Sequence, residues 1–255
     1  MSAPPEATAQ LSWDYTTLAD TYHLRAPYAH AALNELFALI DLPQGSRAAD
    51  IGAGTGNLTS ALAESGLRVD AVEPNAAMRA HGVRRVPAAS WRDARGEATG
   101  LADAAFDLVT LGSSFNVMRC ADALAESARL LRGGGWLAML WNHRDLDDPH
   151  QRELQRTIES HVPDYQHGSR RDDPSAAVRS HGRFDRVHYI EGRFRHVTSA
   201  ADFVEGFRSH ATLVRQAGYR LPAVLAALNS AIGTEASFSV PFVTRIYAAQ
   251  RLHLR

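Results

Sequence analysis

The chain has 255 residues, of which 45% are hydrophobic and 22% are charged, and its formal net charge is −1. These values are typical of one globular domain with a buried core, and the near-neutral charge argues against a nucleic-acid partner or an anionic membrane surface. One cysteine excludes an intrachain disulfide, and the absence of lysine excludes Schiff-base chemistry and a Walker-type phosphate lysine.

The N-terminal stretch shows neither a signal-peptide pattern nor any apolar run long enough to span a membrane. We therefore expect a cytoplasmic protein. The histidines show no metal-ligand spacing, so no metal site is predicted. The sequence leaves open whether the chain is a monomer or a homodimer.

Residues 1–44 predict a helical cap at the start of a single domain that covers 1–255. A helical pattern extends over 11–43 and ends at Pro43 and Gly45. One stripe of this pattern carries its apolar side chains: Leu33, Leu36, Phe37 and Ile40.

Residues 45–145 alternate between short apolar segments and helical ones. Strands are predicted at 47–51, 67–73, 83–90, 106–112 and 136–142, and helices at 55–66, 75–82 and 121–135. This alternation is typical of a parallel sheet with helices on both faces. With two later strands, it predicts an α/β, Rossmann-like, seven-stranded and mostly parallel sheet.

The segment 146–182 is polar and contains a predicted helix at 149–162. Its length and position after the fifth strand suit either a lid or a plain surface excursion. Residues 183–255 are predicted to complete the sheet with strands at 184–194 and 238–249. Between these strands a helix is predicted over 199–218, capped by Ser199.

Three glycines follow the first predicted strand at two-residue intervals: Gly52, Gly54 and Gly56. In an open parallel sheet, ligands bind beyond the carboxyl ends of the strands, and this turn lies there. The dinucleotide fingerprint would need a further glycine at position 57, which is asparagine. A tight turn without a ligand is the simplest alternative for such a loop.

Acidic residues accompany the glycine turn. Asp50 precedes it, Glu73 ends the second predicted strand, and Glu97 precedes the fourth. An acid at the end of the second strand can accept the two hydroxyls of a ribose, whereas a carboxylate beside the turn repels a pyrophosphate. The three acids suit a cationic amino-acid nucleoside better than a nicotinamide dinucleotide.

Residues 13–145 resemble the class I S-adenosylmethionine-dependent methyltransferases, in the small-molecule group with a type 11 methyltransferase domain. Three stretches carry the resemblance: ADIGAGTGNLTSALAESGLRVDAVEPNAAM, GEATGLADAAFDLVTLGSSFN and ALAESARLLRGGGWLAMLWNHRD. The N-terminal cap is also similar to that of the group, at Ala19, Tyr22, Arg25, Pro27 and Tyr28.

The resemblance implies a binding site for S-adenosylmethionine, with S-adenosylhomocysteine as the product. Glu73 would take the ribose, Asp50 would face the methionine ammonium, and Met78 would pack against the adenine. Glu97 and the Ala98 amide would meet the polar edge of the adenine. The remaining residues implied in this site are Tyr22, Arg25, Gly52, Ala53, Gly54, Gly56, Pro74, Gly112 and Ser113.

The acceptor side is less defined by the sequence. Relatives frequently carry a histidine after the fourth strand, where this chain has Asn116, so His143 is the first candidate base. Asn116 is a candidate for orienting the acceptor. Candidate substrate-binding residues are Phe115, Asn116, Trp141, Asn142, Arg144 and His210.

The resemblance implies methyl transfer to a small molecule with an oxygen, nitrogen or carbon nucleophile, in specialised metabolism. Two other functions stay open at this point. One is a nicotinamide-dependent oxidoreductase on the same kind of sheet, and the other is a nucleoside-binding protein without catalysis.

Overall fold

The structure is a computed structural model that describes residues 15–233 and 237–253. Its strands are β1 (Arg47–Ile51), β2 (Arg68–Val72), β3 (Ser90–Arg92), β4 (Phe106–Gly112), β5 (Leu131–Arg144), β6 (Phe184–Thr198) and β7 (Phe238–Arg251). They form one sheet in the order β3-β2-β1-β4-β5-β7-β6. Among these described strands, only the pairings of β7, with β5 and with β6, are antiparallel. The predicted seven-stranded, mostly parallel α/β fold is confirmed.

The α-helices are α1 (His30–Ile40), α2 (Asn57–Glu64), α3 (Ala76–Arg85), α4 (Cys120–Leu130), α5 (Pro149–His161), α6 (Ser175–His181), α7 (Ala200–Gly206), α8 (Ala211–Ala217) and α9 (Leu221–Ile232). Short 3-10 helices include Thr16–Leu24, before α1, and Phe207–Ser209, between α7 and α8. None of the helices in the described ranges is long and apolar enough to cross a membrane.

Both faces of the sheet are buried by helices. In β4, Leu108 packs in a core with Leu36 and Leu62 on one face. Its neighbour Val109 packs on the opposite face with a second core that includes Leu124. Because successive side chains of a strand point to opposite faces, a doubly covered strand must be apolar throughout, as FDLVTLG is.

The predicted third strand, 83–90, is wrong. Helix α3 continues to Arg85, and β3 begins only at Ser90. Pro87 lacks the N–H that an internal strand needs, which favours the turn observed there.

Two predicted helices are interrupted. The cap divides into Thr16–Leu24 and α1, because Pro27 disfavours helical backbone at the preceding residue; positions 11–14 lie outside the described residues. The helix predicted over 199–218 divides at Phe207–Ser209, where the Ser209 hydroxyl donates to the Gly206 carbonyl at 2.6 Å. Helix α9 was not predicted, and the division of the chain at residues 44, 145 and 182 stays a prediction.

Candidate functional site

A solvent-open crevice of about 1340 Å³ lies at the carboxyl ends of β1, β2 and β4. We call it the glycine crevice. Among the residues predicted to bind the methyl donor, its wall includes Tyr22, Gly52, Gly54, Glu73, Pro74, Met78, Glu97, Gly112 and Ser113. A recess that shares Gly52, Gly54 and Gly112 with it is also lined by Asp50, Ala53 and Arg25.

The backbone N–H groups of the glycine turn donate hydrogen bonds to other groups of the protein. The N–H groups of Gly52 and Ala53 donate to the Val72 carbonyl at 2.8 and 3.0 Å. The N–H of Gly54 donates to Oε2 of Glu73 at 2.8 Å. A phosphate cradle needs several backbone N–H groups directed at the ligand. This turn therefore brings the backbone close to a ligand without forming a phosphate site.

Glu73 is held in place by the loops on either side of it. Its Oε1 accepts from the Asn75 N–H at 2.8 Å and its Oε2 accepts from Gly54, while burial raises the pKa of this carboxyl. Each carboxylate oxygen can accept more than one hydrogen bond, so the side chain can still receive two hydroxyl donors. Its position on the crevice wall suits the predicted ribose contact.

Asp50 lies at the end of β1 with 1% of its surface exposed. Its oxygens accept hydrogen bonds from the hydroxyls of Thr59, at 2.7 Å, and Thr110, at 2.8 Å. Burial raises the pKa of Asp50 to about 6, although both threonine bonds oppose the rise. The carboxyl therefore carries its full charge only above that pH in the free protein.

The raised pKa of Asp50 predicts a pH dependence of stability. Its folded pKa, about 6, exceeds the ordinary 3.8, so its contribution is full below pH 3.8 and is lost as the pH rises through 6. Asp50→Asn removes this titration. We expect the unfolding free energy of the variant, relative to the parent, to rise by about 2–3 kcal/mol between pH 4 and 7 in urea titrations. A pH-independent difference would contradict the assignment.

Two residues predicted to contact the methyl donor are not directed into the crevice in this structure. Gly56 does not line the glycine crevice: a Cβ there would face Val86 and Trp91, and its φ of +83° serves the turn into α2. The Ala98 N–H is used by the Arg95 carbonyl at 3.1 Å, so it is not available to an adenine. Glu97 does line the crevice.

From the cap, Tyr22 lines the crevice and Arg25 lines the adjoining recess. The Arg25 guanidinium lies 4.5 Å from the centre of the Tyr22 ring. It also donates to the hydroxyl and carbonyl oxygens of Ser209, at 3.1 and 2.8 Å. This side chain thus joins the cap to the helices that follow β6.

A second cavity, which is open to solvent, adjoins the recess. We call it the arginine cleft. Among the described residues its wall has four arginines, Arg25, Arg144, Arg170 and Arg171, and four histidines, His143, His167, His196 and His210, but no acidic side chain. The cleft shares Arg25, Ala26 and Asn142 with the recess that Asp50 lines. The cleft and this recess therefore meet at these three residues.

The end of β5 places Asn142, His143 and Arg144 at the arginine cleft. Asn142 is held by Thr244, whose hydroxyl donates to Oδ1 at 2.6 Å, and by its own bond to the Pro27 carbonyl at 2.5 Å. His143 is buried, and burial together with nearby arginines lowers its pKa to about 2. It is therefore neutral in the free protein.

Two predicted substrate contacts belong to the core instead. Phe115 and Trp141 are 4% and 2% exposed and pack edge to face at 6.4 Å. Neither lines the arginine cleft or the glycine crevice. Trp141 acts on the site indirectly, because its indole N–H donates to Oδ1 of Asn116 at 2.9 Å. Asn116 itself lines a small recess with Ser113 and Arg170.

The sequence analysis missed several cleft residues that lie in or near 146–182. Arg170 and Arg171 follow α5, and Tyr165 and His167 lie beside them in the wall. The paired arginines in GSRRDD were the available signal. A polar surface segment has the same composition, so the signal alone could not direct these side chains inward.

Comparison with known proteins fits this geometry. Residues 49–139 match the family model described as a methyltransferase domain. The matched segment is therefore similar to a methyltransferase domain. The matched range contains Gly52, Gly54, Glu73 and Glu97, which line the glycine crevice, and it ends within β5.

An uncharacterized methyltransferase of Mycobacterium tuberculosis is 38% identical over 99 residues, which cover 39% of this chain and 41% of that protein. The ubiquinone/menaquinone biosynthesis C-methyltransferase UbiE of Rubrivivax gelatinosus is 34% identical over 109 residues, covering 42% and 43%. The chain thus spans about two fifths of the length of these curated relatives.

A solved structure from Anaeromyxobacter dehalogenans, described as a type II methyltransferase, superposes with a TM-score of 0.61. It is 22% identical, and the alignment covers 89% of this chain and 98% of that one. This likeness supports the methyltransferase fold over most of the chain, including the parts that the family model does not reach.

Proposed function

We propose that this protein transfers the methyl group of S-adenosylmethionine to a small-molecule acceptor in specialised metabolism. The observation that carries the proposal is the junction of two cavities of opposite charge. The arginine cleft shares Arg25, Ala26 and Asn142 with the recess lined by Asp50, and this recess in turn shares Gly52, Gly54 and Gly112 with the acidic glycine crevice. A donor on one side and an acceptor on the other would be held in contact there.

The residues of the crevice fit S-adenosylmethionine. The crevice wall and the adjoining recess together carry three carboxylates, of Glu73, Glu97 and Asp50, against the two guanidinium groups of Arg95 and Arg25. This surplus of acid suits a ligand with ammonium and sulfonium charges. We assign Glu73 to the ribose, Met78 to the adenine, and Asp50, Arg25 and Tyr22 to the surroundings of the methionine end. When bound, S-adenosylmethionine supplies an activated methyl group and leaves as neutral S-adenosylhomocysteine.

The protein would act mainly by holding the acceptor in line with the methyl group and by excluding water. Asn142 is bonded on both sides and lies at the junction, so it is placed to orient the acceptor. His143 is neutral and can accept the proton that an oxygen or nitrogen nucleophile loses. Its low pKa makes it a weak base until a bound anion offsets the neighbouring arginines.

The sequence left two alternatives open, a nicotinamide-dependent oxidoreductase and a nucleoside-binding protein without catalysis. The inward-directed amides of the glycine turn and the similarity to a methyltransferase domain argue against a nicotinamide oxidoreductase. A nucleoside-binding protein without catalysis would share the crevice, so transfer itself has to be measured. We also propose a cytoplasmic location, and 146–182 as a cover for the acceptor side.

Calorimetry with S-adenosylmethionine, S-adenosylhomocysteine and NAD tests the donor. We expect the first two to bind with dissociation constants of about 1–100 μM and NAD to bind at least about 100-fold more weakly. Absence of S-adenosylmethionine binding would refute the proposal. Binding without any transfer of isotope-labelled methyl to a wide acceptor panel, quinones included, would favour the non-catalytic alternative.

A further inference from the structure

We propose that the acceptor is an amphipathic anion: an apolar or aromatic body that carries a carboxylate or phosphate group, bound in the arginine cleft. The inference rests on the proposed methyl transfer, because it names the class of molecule on the acceptor side of the same site. Its support comes from charge, from an unpaired donor and from the apolar part of the wall.

The arginines of the cleft are bonded to neutral groups. Arg144 donates to the side-chain oxygens of Gln151 and Gln155, at 3.2 and 2.8 Å, and Arg171 donates to the Arg144 carbonyl at 3.3 Å. Neither these two nor Arg170 forms an ion pair with a carboxylate among the described residues. Partly buried charge without a counter-ion is costly, and a guanidinium matches carboxylate and phosphate geometry.

His210 adds a donor that has no partner. The Arg170 guanidinium donates to Nε2 of His210 at 2.8 Å. Since arginine has only donors, Nε2 must be the unprotonated nitrogen and Nδ1 carries the hydrogen. This Nδ1 is buried and has no hydrogen-bond partner within 15–233 and 237–253. His210 itself lines the cleft, so an anion bound there would lie near this unpaired donor.

The rest of the wall suits an apolar body. Ile158, Phe203, Phe207 and Phe242 line the cleft together with the arginines. The Arg144 guanidinium lies 5.3 Å from the centre of the Phe207 ring, so charge and aromatic surface adjoin. A pocket with an apolar wall and a few convergent polar groups is typical of small-molecule sites.

The charges of the two cavities differ in sign, which would orient the reactants. The glycine crevice is lined by Glu73 and Glu97 with one arginine, Arg95, whereas the described wall of the arginine cleft has four arginines and no carboxylate. Arg170 also borders the recess that contains Ser113 and Tyr22, which line the glycine crevice as well. A cationic donor and an anionic acceptor would therefore each be attracted to the proper side of the junction.

The test uses two fluorescent probes that share an aryl body. One is the sulfonate 8-anilinonaphthalene-1-sulfonate and the other is the neutral N-phenyl-1-naphthylamine. We expect Arg170→Gln to weaken sulfonate binding about 10-fold or more while changing binding of the neutral probe less than about 2-fold. The matched control is Arg152→Gln, which removes an exposed arginine of α5 outside the cleft and should change neither affinity.

Displacement of the sulfonate probe then separates the head groups. We expect 1-naphthoate and 1-naphthyl phosphate to displace it at least about 10-fold better than 1-naphthamide, with the stronger anion identifying the head group. Equal displacement by the amide, or equal loss of both probes in Arg170→Gln, would overturn the inference. S-adenosylhomocysteine binding, measured on the same samples, tests the donor site separately, so failure of the proposed function would be distinguishable.

Discussion

Replacing Glu73 with glutamine is expected to weaken S-adenosylhomocysteine binding at least about 100-fold. The carboxylate is assigned two ribose hydroxyls, and two hydrogen bonds to a charged acceptor contribute about 3 kcal/mol or more. Glutamine also places an amide N–H₂ against the N–H of either Gly54 or Asn75, which both donate to Glu73. The turn and the ligand therefore lose their common acceptor. Calorimetry on the folded variant measures this loss.

Glu97→Gln is the matched control for Glu73→Gln. Both acids line the glycine crevice, but only Glu73 accepts from the glycine turn. The control should lose less than about 10-fold in affinity, since it removes one charge and keeps the shape of the wall. Far-ultraviolet circular dichroism of both variants without ligand establishes that they are folded. Equal losses in the two variants would show that Glu73 has no special role in binding.

The cofactor side of the site could be predicted from the sequence because its residues are local in the chain. Gly52, Gly54 and Glu73 lie at the ends of neighbouring parallel strands, so the sheet itself brings them together. The structure does not bring Gly56 and the Ala98 amide to the crevice. Both lie in the right segment, but a positive-φ turn and a local hydrogen bond direct their groups away from the crevice.

The acceptor side depends on contacts between distant segments. Arg170 meets His210 across 40 residues, and Arg25 meets Ser209 across 184. The hydrophobic periodicity of the sequence does not indicate which distant residues will be in contact. Trp141 was predicted to contact the substrate because WNHRD lies at the carboxyl end of β5. Side chains alternate between the two faces of a strand, and that of Trp141 points into the core.

Gly52→Ala is expected to lower the unfolding free energy by about 3 kcal/mol and the Tm by about 6–10 °C. Gly52 has a φ of +70°, and a Cβ there would lie 2.5 Å from Cβ of Ser114. Ser114 cannot easily move, because it is buried and its hydroxyl donates to the Ile51 carbonyl at 2.6 Å. Differential scanning fluorimetry and urea titration measure the change.

Gly45→Ala separates the cost of the positive φ from the cost of the close contact with Ser114. Gly45 has a φ of +80°, but a Cβ added there would have no described neighbour within 4 Å, so its substitution carries the backbone cost alone, about 1 kcal/mol. Ser114→Gly should restore part of the stability of Gly52→Ala, because it removes the atom that the new methyl contacts. If Gly52→Ala and Gly45→Ala lowered the unfolding free energy equally, backbone conformation alone would explain why position 52 requires glycine. A larger loss at Gly52, reversed by Ser114→Gly, means that close packing of the turn against the end of β4 requires glycine there.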